Sequence, residues 1–96
     1  MAKGYWIAFY RSVSNPAALA EYAKLATPAI RAGGGRFIAR GTPVKTYEAG
    51  LDQRTVVIEF DSVQSAVATF ESPGYQAARK ILEGAAERDI RILEGS

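Results

Sequence analysis

Hydrophobic positions along this 96-residue chain follow two different periods. In Gly4–Arg11 (GYWIAFYR) they alternate, with Tyr5, Ile7 and Phe9 pointing one way and Trp6, Ala8 and Tyr10 the other. Apolar side chains on both sides predict a strand covered on both faces. From Asn15 the period lengthens. Asn15 suits a helix N-cap, and Pro16 suits the first helical position, where no amide donor is missed. Leu19, Tyr22, Ala23, Ala26 and Ile30 then form one apolar stripe. Pro28 removes a hydrogen bond to residue 24 and disfavours helical geometry at Thr27, which predicts a kink or a restart. Gly33-Gly34-Gly35 supplies residues that tolerate positive φ and ends the segment.

Arg36–Arg40 (RFIAR) reads as a second strand, broken at Gly41-Thr42-Pro43 because proline cannot donate to a ladder. Val44–Glu48 resumes in extended form, and Ala49–Gln53 turns the chain. Thr55-Val56-Val57-Ile58-Glu59-Phe60 follows as a short apolar, β-branched run, the signature of a covered strand. The two strands make a hairpin with a long loop. Ser62 can cap a helix carrying Val63, Ala66, Val67 and Phe70 on one stripe, and Ser72-Pro73 interrupts it. Tyr75, Ala78, Ile81 and Leu82 continue the helical period to Gly84, and Arg88–Glu94 (RDIRILE) closes the chain as a strand.

Strand, helix, strand, strand, helix, strand is the split βαβ order of a ferredoxin-like α+β domain. The expectation is a single domain over residues 1–96 with a four-stranded antiparallel sheet whose first and third strands lie centrally. Helices cover one face. No element remains for the other, so a second copy is expected to cover it, sheet against sheet, in a twofold homodimer.

Composition sharpens this picture. A chain this short buries only roughly 60–65% of its extended surface. Yet 48% of its residues are apolar and none is cysteine, which again points to oligomerisation. Twelve basic and ten acidic residues are interspersed, with no basic run and no nucleic-acid motif, so no nucleic-acid partner is expected. The absence of histidine and cysteine excludes imidazole- or thiolate-based metal and haem sites within one chain, and Ser-His or Cys-His triads with them. No clustered Asp/Glu spacing suggests a site of oxygen ligands, so neither metal nor cofactor is expected. The N-terminal residues lack a signal-peptide core and no apolar stretch is long enough to span a bilayer, so a soluble cytoplasmic protein without membrane contact is expected. Gly33-Gly34-Gly35 superficially resembles a phosphate cradle, but it follows a helix rather than preceding one.

One residue stands out. Glu59 is the single charge inside the β-branched run, and an ionised carboxylate rarely enters a covered strand without a partner or a use. If Val56, Ile58 and Phe60 meet the helices, Thr55, Val57 and Glu59 face the partner sheet. A hairpin centred near Leu51 with one bulged residue brings Arg40 to the Glu59–Asp61 end. The pair could be a polar spot that orients a small ligand and handles a proton. The commoner arrangement, and the favoured one, is an ion pair that fixes register or dimer geometry. Tyr22 and Tyr75 lie on apolar stripes and suit core packing with the hydroxyl on a polar partner, or the lining of a pocket. Trp6 has the same two readings. Arg54, at a strand entrance, reads as a solvated charge, and Arg79 and Lys80 as part of a solvated helix face.

Lys3-Gly4-Tyr5-Trp6-Ile7-Ala8, Gly35-Arg36-Phe37-Ile38-Ala39-Arg40-Gly41, Val56-Val57-Ile58-Glu59-Phe60, Ser72-Pro73-Gly74-Tyr75-Gln76-Ala77-Ala78-Arg79 and Leu93-Glu94-Gly95 together resemble the bacterial domain-of-unknown-function 1330 family. That family lies within the dimeric α/β-barrel superfamily. Phe9-Tyr10-Arg11 departs from its usual acidic or polar strand end, which changes one rim of any cleft. The resemblance implies a homodimer of facing four-stranded sheets and no particular reaction. The wider superfamily includes cofactor-independent monooxygenases, haem-degrading enzymes, chlorite dismutases and muconolactone isomerases, a kinship of fold rather than chemistry. Two functions remain open: binding or transforming a small organic molecule in a cleft near Arg40 and Glu59, with Tyr22, Tyr75 and Trp6 around it, or serving as a non-catalytic dimeric structural or regulatory module.

Overall fold

The computed structural model describes residues 2–96. Strand β1 (Gly4–Val13) is followed by helix α1 (Pro16–Ala32), strands β2 (Arg36–Gly41) and β3 (Thr55–Phe60), helices α2 (Val63–Phe70) and α3 (Pro73–Leu82), and strand β4 (Ala86–Glu94). The four strands form one antiparallel sheet in the order β2-β3-β1-β4. This is the ferredoxin-like βαββαβ arrangement expected, with β1 and β3 central. Trp6, Ala8 and Tyr10 of β1 and Val56, Ile58 and Phe60 of β3 are buried on the helix face with Tyr22, Ala26 and Ile30 of α1.

The helix starts are those the sequence encodes. Asn15 Oδ1 accepts from the Ala18 amide at 3.3 Å and Pro16 opens α1. Ser62 Oγ accepts from Ser65 N at 3.1 Å, and Ser72 Oγ from Tyr75 N at 3.3 Å, so Ser72-Pro73 divides the second helical segment into α2 and α3. Gly34 takes φ 92° in the turn after α1, where a side chain would be strained.

Two expectations about regular structure are corrected. First, the helix does not restart at Pro28: α1 runs through it as one helix. Both Pro28 and Lys24, whose carbonyl loses its amide donor, are exposed, so water can take the place of the missing bond. Second, Val44–Glu48 does not resume as a strand. The loop between β2 and β3 is irregular, with Glu48 at φ 52° and Gly50 N donating to Tyr47 O at 2.9 Å, and Val44, Tyr47 and Leu51 project from it exposed. The turn therefore sits nearer Glu48 than Leu51, which moves the hairpin register by several residues.

The outer sheet face carries no helix. Ile7, Phe9, Ile38, Val57 and Leu93 are exposed or only half-buried there, the apolar surface the sequence predicts for a second copy.

Candidate functional site

The two residues expected to form a pair lie on opposite faces of the sheet. Strand β2 pairs Arg36 with Glu59 and Phe37 with Ile58, then slips, so that Ala39 meets Val57 and Arg40 meets Val56. Ile38 is the extra residue. Because side chains alternate with period two, one inserted residue moves everything after it to the other face. Arg40 thereby joins Val56 on the helix face, while Glu59 stays outside. The expected Arg40–Glu59 contact is thus corrected: Glu59 accepts from Arg36 Nε and Nη2 at 3.2 and 3.1 Å and from the Tyr5 hydroxyl at 3.1 Å. Arg36 Nη2 also reaches Asp61 Oδ1 at 3.1 Å. The Arg36 guanidinium holds the Glu59 carboxyl below its ordinary pKa, against the opposing effect of burial, with Tyr5 adding a second favourable hydrogen bond. This arrangement stitches β2 to β3 and to Tyr5 on β1, the register-fixing role, and it leaves Glu59 ionised and occupied.

The enclosed space lies on the other side. A cavity between α1 and the sheet is bordered by Trp6, Ala8 and Tyr10 of β1, by Phe37 and Arg40 of β2, by Arg54, Val56 and Ile58, by Arg88 of β4, and by the Leu19–Ile30 face of α1 including Tyr22. The centres of water-sized spheres have about 60 Å³ in it. At about 10–15 Å³ for one water, that is roughly four to six waters, or one small ring in their place. The cavity reaches the surface where Ala23 and Arg40 are exposed.

Its charge is one-sided. Among the described residues, three arginines and no carboxylate border it, and none of Arg40, Arg54 and Arg88 joins an ion pair. Arg40 stacks its guanidinium 4.5 Å from the Phe37 ring centroid. Trp6 Nε1 and Arg54 Nε are buried donors with no acceptor. Orphaned buried donors are uncommon, and each costs about 1–3 kcal/mol when left dry.

Arg88 organises the inner end. It donates to the Tyr22 hydroxyl at 3.1 Å and the Tyr75 hydroxyl at 3.2 Å, and the two hydroxyls lie 2.8 Å apart. Its guanidinium also sits over the rings of Tyr22 and Tyr10, at 5.0 and 5.6 Å. Burial pushes the Tyr22 phenol well above its ordinary pKa; Tyr75 adds to this and the positive charge of Arg88 opposes it, so the phenol stays protonated at neutral pH. Tyr75 is sealed against Trp6, ring centroids 4.7 Å apart, and does not border the cavity.

Of the residues singled out in the sequence, Trp6, Tyr22 and Arg40 therefore meet around one cavity. Tyr75 stands behind Tyr22, and Glu59 lies elsewhere. Arg54 and Arg88 were missed. For Arg88 a signal existed: it shares the parity of Ile90 and Ile92, which pack against the core. Arg54 shares the parity of Val56 and Ile58, one residue before the strand begins.

The sheet order, with the helices on one face, defines a ferredoxin-like α+β domain. Within that class the chain belongs to the family described as Domain of unknown function (DUF1330), whose model matches residues 3–96. No curated protein matches its sequence. Solved structures share its fold. A protein of unknown function from Rhodopseudomonas palustris, RPA0582, is 17% identical, with a TM-score of 0.73 over 99% of this chain and 83% of that one. A dimeric ferredoxin-like protein of unknown function from Thermobifida fusca is 19% identical, with a TM-score of 0.67 over 97% and 91%. SnoaB, a cofactor-independent oxygenase from Streptomyces nogalater, is 11% identical, with a TM-score of 0.68 over 100% and 95%.

Proposed function

We propose that this protein binds a small organic molecule in the cavity between α1 and the sheet, and that it does so as a homodimer joined through the outer sheet face. The observation that carries the reading is a cavity bordered by three arginines without carboxylate partners, beside buried donors that the fold leaves without acceptors. A purely structural core gains nothing from such an arrangement, since apolar residues of similar volume fill space at lower cost. Binding sites are built the opposite way, as an apolar enclosure with a few convergent polar groups. The dimer is supported by the uncovered Ile7, Phe9, Val57 and Leu93 and by the dimeric description of the Thermobifida fusca structure. The site here is centred on Trp6, Tyr22, Arg40, Arg54 and Arg88, and Glu59 takes no part in it.

Trp6 is the chain's one tryptophan and borders the cavity, so its fluorescence reports on occupancy. Single-ring compounds of neutral, cationic and anionic type are screened by this signal and by thermal shift. Saturable changes are expected with one chemical class. They should vanish in Ala23→Leu, which narrows the mouth at an exposed helix position that tolerates leucine. A screen in which no compound changes either signal would contradict the reading.

A further inference from the structure

Hydrogen-bond bookkeeping around Arg88 fixes where one proton must go. The Tyr22 and Tyr75 oxygens both accept from Arg88, and a single hydrogen bond joins them. Only one hydroxyl can donate in that bond. If Tyr22 donated, the Tyr75 proton would be stranded, because Tyr75 is fully buried and its oxygen has no other partner among the described residues. If Tyr75 donates, both of its bonds are made. The unused proton then belongs to Tyr22, the tyrosine of the pair that borders the cavity. A stranded donor costs about 1–3 kcal/mol, so the second arrangement wins.

Donors predominate among the residues bordering the cavity, with the Tyr22 hydroxyl and the guanidinium groups of Arg40 and Arg54, and no charged acceptor stands among the described lining residues. From this we infer that the cavity is an oxyanion site for a single-ring or similarly small organic anion, a carboxylate or a phenolate, with Tyr22 as a hydrogen-bond donor to the charged oxygen. The inference rests on the small-molecule reading above and names the ligand class for that cavity. Arg88 acts as a positioning residue. It holds the Tyr22 oxygen and polarises its O–H, as preorganised donors do where negative charge must be stabilised. Arg40 and Arg54 supply charge, and the Phe37, Val56 and Ile58 walls take the ring. A phenol kept protonated by burial is suited to this use, since a donor must retain its proton. An amine or cation would meet like charge and no carboxylate among the described lining residues.

The test is isothermal titration of the full chain with benzoate, 4-nitrophenolate, benzamide and benzylamine, in wild type, Tyr22→Phe and Tyr75→Phe. One or both anions should bind at least about tenfold more tightly than benzamide, and benzylamine should not bind. Whichever anion is preferred identifies the head group. Tyr22→Phe should weaken anion binding by about 10- to 100-fold, the worth of one hydrogen bond to a charged group. Tyr75→Phe, which does not touch the cavity, should stay within about threefold of wild type. A merely structural role for Tyr22 predicts losses in both variants that track their loss of stability and fall on benzamide as much as on the anions, and that result would overturn its assignment. Benzamide binding as tightly as both anions would overturn the oxyanion site while leaving small-molecule binding intact. Absence of binding by all four, with no hit in the wider screen, would remove both.

Discussion

The asymmetry between the two buried tyrosines can be read out as stability. Tyr75→Phe deletes a donor to Tyr22 and an acceptor for Arg88 Nη2. A neutral hydrogen bond contributes about 1 kcal/mol, and one to a charged group about 1.5–3 kcal/mol. Arg88 is only half-buried and can turn to water, so the second contribution lies near its lower end and the loss is about 2.5 kcal/mol. Tyr22→Phe deletes as many bonds and also strands the Tyr75 proton in a sealed position, which raises the cost to about 3.5 kcal/mol or more. In the double variant nothing is stranded and the shared bond is lost only once. Its cost should fall about 2 kcal/mol short of the two single costs added together, a coupling of the size that neighbouring groups show. The assay is urea unfolding followed by far-ultraviolet circular dichroism, at one fixed protomer concentration because a dimer's stability depends on it. Melting temperatures should follow at about 4–8 °C for each kcal/mol in a chain of this size. Additive costs, or Tyr75→Phe proving the more damaging, would refute the proton direction deduced from the geometry.

Other expectations concern the opposite face and the turns. Glu59 is held below its ordinary pKa by Arg36, so its contribution to stability is complete above the ordinary carboxylate range and is lost as pH falls through the folded value. Glu59→Gln should therefore lose less stability than wild type between about pH 5 and pH 3; identical pH profiles in chemical denaturation would contradict the pairing. Gly35→Ala places a methyl 2.5 Å from Ile30 Cγ2 and 2.8 Å from Phe60 Cζ, and should cost about 1–3 kcal/mol through overpacking. Gly34→Ala meets open space and suffers only from its φ of 92°, at about 1–2 kcal/mol. Loss of ligand binding in Gly34→Ala without loss of stability would reopen the phosphate-cradle alternative. Ile7→Glu, at the centre of the uncovered sheet face, should yield a folded monomer by sedimentation velocity, and an unchanged dimer would place the interface elsewhere.

The topology was legible because local signals and global order agreed. Asn15-Pro16, Ser62 and Ser72-Pro73 mark helix starts in sequence and do so in the fold. Alternation in β1 and β3 separated Trp6, Ala8, Val56 and Ile58 from Tyr5 and Glu59 correctly. What failed was register: a hairpin with one bulged residue is present, but its centre lies near Glu48 rather than Leu51, which pairs Arg40 with Val56 instead of Glu59. Nothing about Ile38 in the sequence announces where the bulge falls, and its place decides which face Arg40 occupies. The loop added to the error: Val44–Glu48 has strand-like composition, but its apolar side chains project into the open, and the reversal comes at Tyr47–Gly50. Glu59 stands out as a charge inside an apolar run, while Arg88, also a charge on a core-facing parity, stands near one end of its strand with no apolar run around it. The arginine that organises the cavity thus followed the same pattern as the carboxylate that does not.

A crystal structure of the protein grown with 4-bromobenzoate would test the central claim most directly, since bromine can be located by its anomalous signal. The expected result is bromine between α1 and strands β1 and β3, with a carboxylate oxygen within hydrogen-bond reach of the Tyr22 hydroxyl and of an arginine bordering the cavity. Bromine found only on the protein surface, over a cavity closed by its own side chains, would contradict it.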